Sequence, residues 1–167
     1  MEGVAAGVIN PLAIHCETVR LKSEHPTQFI DLTAWVERAV RRSGVRSGLV
    51  QIQVMHTTAA IIVNENEPLL LGDFEALLER LVPANGFFAH DDMSRRGPEV
   101  DAEERRNGWG HARALLLGAS KVLGIEEGFV ALGRWQSILL VELDGPRERS
   151  VSIVVMGHGE DVACGSR

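Results

Sequence analysis

Residues 50–67, VQIQVMHTTAAIIVNENE, constrain the fold more than any other stretch, because two strand-length apolar runs flank the polar triplet His56, Thr57 and Thr58. Val50, Ile52 and Val54 alternate with Gln51, Gln53 and Met55, the period of two expected of a strand with one buried face. Residues 59–63, AAIIV, form an unbroken apolar run, short and β-branched enough for a strand buried on both faces. The triplet therefore stands among core residues. A buried imidazole or hydroxyl needs a hydrogen-bond partner, a metal or a water, and a functional site is one way to provide it.

The rest of the chain supplies elements around this motif. Residues 12–21 alternate imperfectly as a first strand, with Cys16 read as a small core residue. His25-Pro26 interrupts it, and Ile30, Ala34, Trp35, Arg38 and Ala39 at helical spacing predict a helix over 29–43, with Trp35 as a core anchor and Gly44 as its stop. Pro68 opens a second helix, to about Leu81, on which Leu69, Leu70, Phe74, Leu77, Leu78 and Leu81 recur every three or four residues. Residues 84–106 read as a long loop carrying His90, and long loops in compact domains tend to be functional or disordered. Residues 107–120 predict a short helix with His111 near its start and Leu115 and Leu116 facing inward. Three strand-like runs come next, FVALGRWQ, SILLVEL and RSVSIVVM, separated by turns at Gln136-Ser137 and at Asp144-Gly145-Pro146. Helices and strands without strict alternation predict an α+β fold with a mixed or antiparallel sheet.

With 167 residues the chain suits a single domain with a full core. A net charge of -6 argues against a nucleic-acid partner, and the cluster Arg41, Arg42, Arg46 reads as a solvated helix end. No apolar span approaches the roughly 18 residues of a membrane helix, and the opening MEGVAAGVINPLAIH lacks the basic region of a secretory signal. A cytoplasmic protein with no membrane partner is expected. Cys16 and Cys164 supply neither a disulfide framework nor a metal-binding pair.

His56, His90 and His111 come from a strand end, a loop and a helix start. Three imidazoles from separate elements make a common open metal site, yet no HExxH-like signature is present, and each taken singly reads first as a hydrogen-bonded structural or surface histidine. Glu65 is either an acid orienting a metal ligand or water, or a carboxylate favoured by the start of the second helix. Glu142 interrupts an apolar strand and requires a cation, a water or Arg147 beside it. Arg147 can fork onto a phosphate or sit in a surface turn. Thr57 and Thr58 can donate to an anion or to backbone.

Taken in order, HTTAAIIVNENEP, LVP with a histidine shortly after, GHARALLLGAS and LGRWQSILLVELDGPRERSVSIVVMG resemble the YjbQ family, also called the secondary thiamine-phosphate synthase family. The resemblance runs from about residue 12 to 159 and implies a mixed β-sheet folded into a half-barrel, with helices packed outside, assembled as a homotrimer. It also implies a divalent metal held by His56, His90 and His111, with zinc favoured and magnesium possible alongside a diphosphate substrate. Thr57, Thr58, Asn64, Trp135 and Gln136 would contact the substrate, and Glu65, Glu142 and Arg147 would carry the chemistry. The implied activity joins a pyrimidine diphosphate to a thiazole phosphate. A non-catalytic trimer binding a metal or small anion and a metal-dependent phosphoester hydrolase use the same residue types and stand as rivals. The chain departs from the family at one place: many members carry an acidic DDMPxH stretch where it has Arg106-Asn107-Gly108-Trp109-Gly110-His111.

Overall fold

The computed structural model describes residues 12–97 and 105–159. Cys164, the first eleven residues and part of the 84–106 loop lie outside them. Among the described residues, eight strands and three α-helices build the fold: β1 (Ala13–Lys22), β2 (Gln28–Asp31), α1 (Thr33–Ser43), β3 (Ser47–Val54), β4 (Ala59–Asn64), α2 (Pro68–Leu81), α3 (Gly108–Leu117), β5 (Ser120–Glu126), β6 (Phe129–Val130), β7 (Ser137–Glu142) and β8 (Glu148–His158). The strands form a five-stranded sheet, β1-β8-β3-β5-β6, and a three-stranded sheet, β2-β7-β4, which together make an α+β half-barrel. Every ladder among the described strands is antiparallel.

The motif at residues 50–67 folds as its pattern predicts. Val50, Ile52 and Val54 face the core from β3, and the unbroken run begins a β4 strand whose Ala59, Ala60 and Ile61 are all buried. β4 is covered on both sides because the smaller sheet lies between two apolar clusters. On one side Ile61, Ile138 and Leu140 meet Val50, Ile52, Val151, Ile153 and Val155 of the larger sheet together with Val36, Ala39 and Val40 of α1. On the other, Ala60, Val141 and Leu143 meet Leu78 of α2 and Ala114 of α3.

Several expectations are corrected. Residues 28–31 form a strand rather than the first turn of a helix, because β7 recruits their backbone, with Phe29 opposite Val141 and Ile30 opposite Leu140. The helix starts at Thr33, whose N–H donates to Asp31 Oδ1 at 2.8 Å, and ends on Gly44 at φ 70°. Its buried face is Val36, Ala39 and Val40, with Trp35 packed partly against the same core. Cys16 is exposed, since β1 turns its odd-numbered residues inward. Leu115 and Leu116 of α3 are 83% and 60% exposed, and the helix instead buries Gly108, Gly110, Arg113 and Ala114. On α2, Leu78 is the residue that becomes fully buried. β5 occupies residues read only as the tail of α3 and a connection beyond it, and the run FVALGRWQ is a strand only at Phe129–Val130. Among the described residues no helix is long and apolar enough to cross a membrane.

Candidate functional site

The polar triplet lies where β3 hands over to β4, at the end of the smaller sheet that also carries Glu142, since Ala59 pairs with Glu142. Here Met55, His56, Thr57, Thr58, Asn107, His111, Asp144, Arg147 and Arg149 line a cleft of about 420 Å³. A second, more apolar hollow of about 540 Å³ shares Met55, His56, Thr57 and His111 with it and extends along Ala114, Leu115 and Ala119. Five of the residues expected to form a site therefore line one cleft: His56, His111, Thr57, Thr58 and Arg147.

Glu142 is the keystone beneath this cleft. It continues the inward face of β7 and is fully buried. Arg149, on the inward face of β8, bonds both of its oxygens, so the pair ties the two sheets together. The Leu143 and Asp144 amides donate to Oε1 at 2.9 and 2.8 Å, and the Ser23 hydroxyl donates to Oε2 at 2.8 Å. Burial pushes the Glu142 carboxyl up, but the bonds from Arg149, the Asp144 amide and Ser23 outweigh it, and the group titrates below the ordinary carboxylate range. Arg149 also donates to the carbonyl and hydroxyl of Thr58, at 3.3 and 3.0 Å. Thr58 is thus held from below, whereas Thr57 beside it is exposed at the cleft lip.

His56 accepts a 2.9 Å hydrogen bond at Nε2 from the Ser150 amide. A neutral imidazole has one lone pair and one N–H, so this bond puts the proton on Nδ1. Burial lowers its pKa below 6.5, with Arg149 and Arg147 adding to the effect and Glu142 opposing it. His90 and His111 meet edge to face, their ring centroids 4.7 Å apart. His90 lies in a 3-10 turn, Ala89–Asp91, docked on the start of α3: Asp91 Oδ1 accepts the Asn107 and Gly108 amides at 3.0 and 2.9 Å. Glycine is required at two positions of that helix, where a Cβ on Gly108 would lie 2.4 Å from Phe88 Cβ and one on Gly110 2.8 Å from the Leu143 carbonyl. Asn107 Nδ2 donates to Asp144 Oδ2 at 2.8 Å, and Arg147 pairs with the same oxygen at 2.7 Å. Asp91 and Asp144 therefore place carboxylates against the segment that leads into His111.

Asn64, Glu65, Trp135 and Gln136 are not part of this cleft. Asn64 pairs with Ser137 at the far end of β4 and β7, about 17 Å from Ala59 at the rise of an extended strand. Glu65 is bonded through its amide to Asn64 Oδ1, Trp135 is 63% exposed under Arg134, and Gln136 Oε1 accepts the Gly133 amide. Of the three histidines expected to hold a metal, His90 and His111 are in ring contact, edge to face, and His56 and His111 line the cleft while His90 does not. His56 fits only if it gives up its bond from Ser150, and among the described residues no three His, Cys, Asp or Glu side chains are grouped to hold an ion.

Ser23, Arg149, Asp144 and Asp91 belong to the site without having been expected there. Arg149 had a signal: it extends the inward series Val151, Ile153, Val155 by one step, placing a cation on the same buried face as Glu142. Asp91 and Ser23 act across long sequence separations and leave no such trace.

An antiparallel half-barrel with a cleft of imidazoles and guanidiniums at one end of its smaller sheet defines the class. The family model described as "UPF0047 protein YjbQ-like" matches residues 17–158, and the chain belongs to that family. A UPF0047 protein of Methanothermobacter thermautotrophicus is 34% identical over 87% of this chain and 94% of its own length. One from Archaeoglobus fulgidus is 41% identical over 80% of this chain and 94% of its own. Among solved structures, a YbjQ-like protein of unknown function from Sulfolobus solfataricus superimposes with a TM-score of 0.79 at 30% identity, over 89% of this chain and all (100%) of the other.

Proposed function

We propose that the cleft binds a small phosphorylated molecule beside a divalent cation, and that the reaction it serves is thiamine-phosphate synthesis, the joining of a pyrimidine diphosphate to a thiazole phosphate. The observation that carries this reading is the meeting of His56, Thr57, Asn107, His111 and Arg147 in one cleft of about 420 Å³. Arg147 spends one edge of its guanidinium on Asp144 and is partly exposed, so its remaining N–H groups can fork onto phosphate oxygens. Thr57 and the Nδ1–H of His56 are further donors to an anion. His90 and His111 would hold the cation, zinc by the preference of imidazole donors, with magnesium brought by a diphosphate. When bound, that cation supplies positive charge for a departing diphosphate. Glu142 serves by fixing Arg149 and Thr58 rather than by taking a proton, because its oxygens are already filled by five donors.

The homotrimer belongs to the same reading. Ile14, Met156 and Leu49 stand in one cross-strand row on the outer face of the larger sheet, with Val122 near them, and all four are exposed. Assembly is also the route by which Asn64, Glu65, Trp135 and Gln136 would reach a cleft, that of a neighbouring subunit. The test is product formation from the two precursor halves by purified protein, beside Arg147→Ala. Thiamine phosphate is expected from the wild type and at least about tenfold less from the variant, the loss of one charged hydrogen-bond donor. No product from wild type loaded with zinc or magnesium removes the synthase reaction. Failure of inorganic phosphate to bind would remove the phosphate cleft itself.

A further inference from the structure

Asn107 carries an unspent group. Its residue is 5% exposed, its Nδ2 is committed to Asp144, and its Oδ1 is shielded from solvent with no hydrogen-bond partner. The amide cannot be turned round, because Asp144 is a carboxylate and must face the N–H side. A buried acceptor left without a donor is costly in any protein. In this one, the acceptor belongs to a side chain of the cleft wall, which His111 and Arg147 also line.

The charges around it say what kind of donor would suit. Arg147 and Arg149 are matched by Asp144 and Glu142, so without an added cation these side chains offer no net excess of positive charge to a dianion. An anion approaching Arg147 also approaches Asp144, whose carboxylate repels a bare oxyanion oxygen. A protonated oxygen removes that repulsion and supplies the hydrogen that Asn107 Oδ1 lacks.

Building on the phosphate cleft proposed above, we infer that Asn107 Oδ1 accepts a hydrogen bond from an O–H on the bound anion. The cleft thereby selects an oxyanion that carries a proton, hydrogen phosphate or the monoanion of a phosphate ester, over a fully deprotonated one. This is the discrimination shown by sites built to hydrogen-bond a hydroxyl, which reject analogues lacking it because the protein's own group is stranded.

The test is calorimetric titration of wild type and Asn107→Ala with three dianions at about pH 8: hydrogen phosphate, sulfate and methyl phosphate. Their charge is equal, and only the first keeps an O–H, since a phosphate ester loses its second proton near pH 6. Wild type should bind hydrogen phosphate on the order of tenfold more tightly than the other two, and the ratio should fall toward one in Asn107→Ala. A merely structural asparagine would weaken all three together and leave the ratio unchanged, which overturns the inference. Equal affinities in wild type also overturn it, and that arm stands even where Asn107→Ala does not fold. If all three bind equally, the phosphate cleft survives and the role of Asn107 falls; if none binds, the cleft reading falls with it.

Discussion

At the scale of single residues, the Glu142–Arg149 pair decides most. Removing one partner of a buried ion pair strands the other, so Glu142→Gln should cost about 3–5 kcal/mol in urea unfolding, whereas joint replacement of both by apolar residues should cost less. An unchanged unfolding midpoint in Glu142→Gln would contradict the keystone role. The pH dependence has a definite sign. Glu142 has a folded pKa below its ordinary value, so its stabilisation is present above the ordinary carboxylate range and lost as pH falls through the lower folded value. His56 behaves alike about a higher midpoint: its folded pKa lies below 6.5, so the stability it contributes as a neutral ring is present above 6.5 and lost as pH falls through the folded value. Titration of His56 by NMR should give a midpoint below that of a free imidazole, and a midpoint above it would mean that the Ser150 bond and its tautomer are misassigned.

At the scale of elements, α3 is where sequence pattern and packing part company. Gly108 and Gly110 permit Phe88 and the Leu143 backbone to touch the helix, and this closeness brings His90 to His111. Gly108→Ala should cost about 1–3 kcal/mol by overpacking and should separate the two rings, read as a loss of zinc affinity. The outward Leu115 and Leu116 show why periodicity alone misled here: a helix that buries glycines, an arginine and an alanine carries its packing face where no apolar side chain marks it. Arg113, fully buried, pairs with Glu79 and caps the Val82 carbonyl at 2.9 Å while stacking on Trp109. β2 was hidden because four residues are too few for a pattern, and its pairing with β7 is set by contacts more than 100 positions away. The central motif, both long terminal strands and α2 were legible because each carries a sustained apolar pattern, in α2 opened by Pro68, whereas the cap that Glu67 gives to the Leu69 and Leu70 amides went unread. Of the site, His56, Thr57, Thr58, His111 and Arg147 could be read from motifs, while Asp91, Asp144 and Arg149 depend on where the chain folds back.

At the scale of the molecule, among the described residues, the smaller sheet is covered on both faces and the larger on one. The uncovered face, with Ile14, Leu49, Val122 and Met156 exposed, accounts for the proposed trimer. Light scattering should return three times the chain mass, and Leu49→Glu should shift it toward one; a monomeric wild type would remove the trimer and with it any contribution from Trp135 or Glu65 of a neighbour. The cleft reading itself rests on a cation at the histidine pair beside an anion at Arg147. The most direct measurement is a crystal soaked in zinc and phosphate, with anomalous scattering recorded at the zinc edge. The account predicts a single strong peak within bonding distance of both His90 and His111, with phosphate density on Arg147; data with no peak at that pair, or with the peak elsewhere, would contradict it.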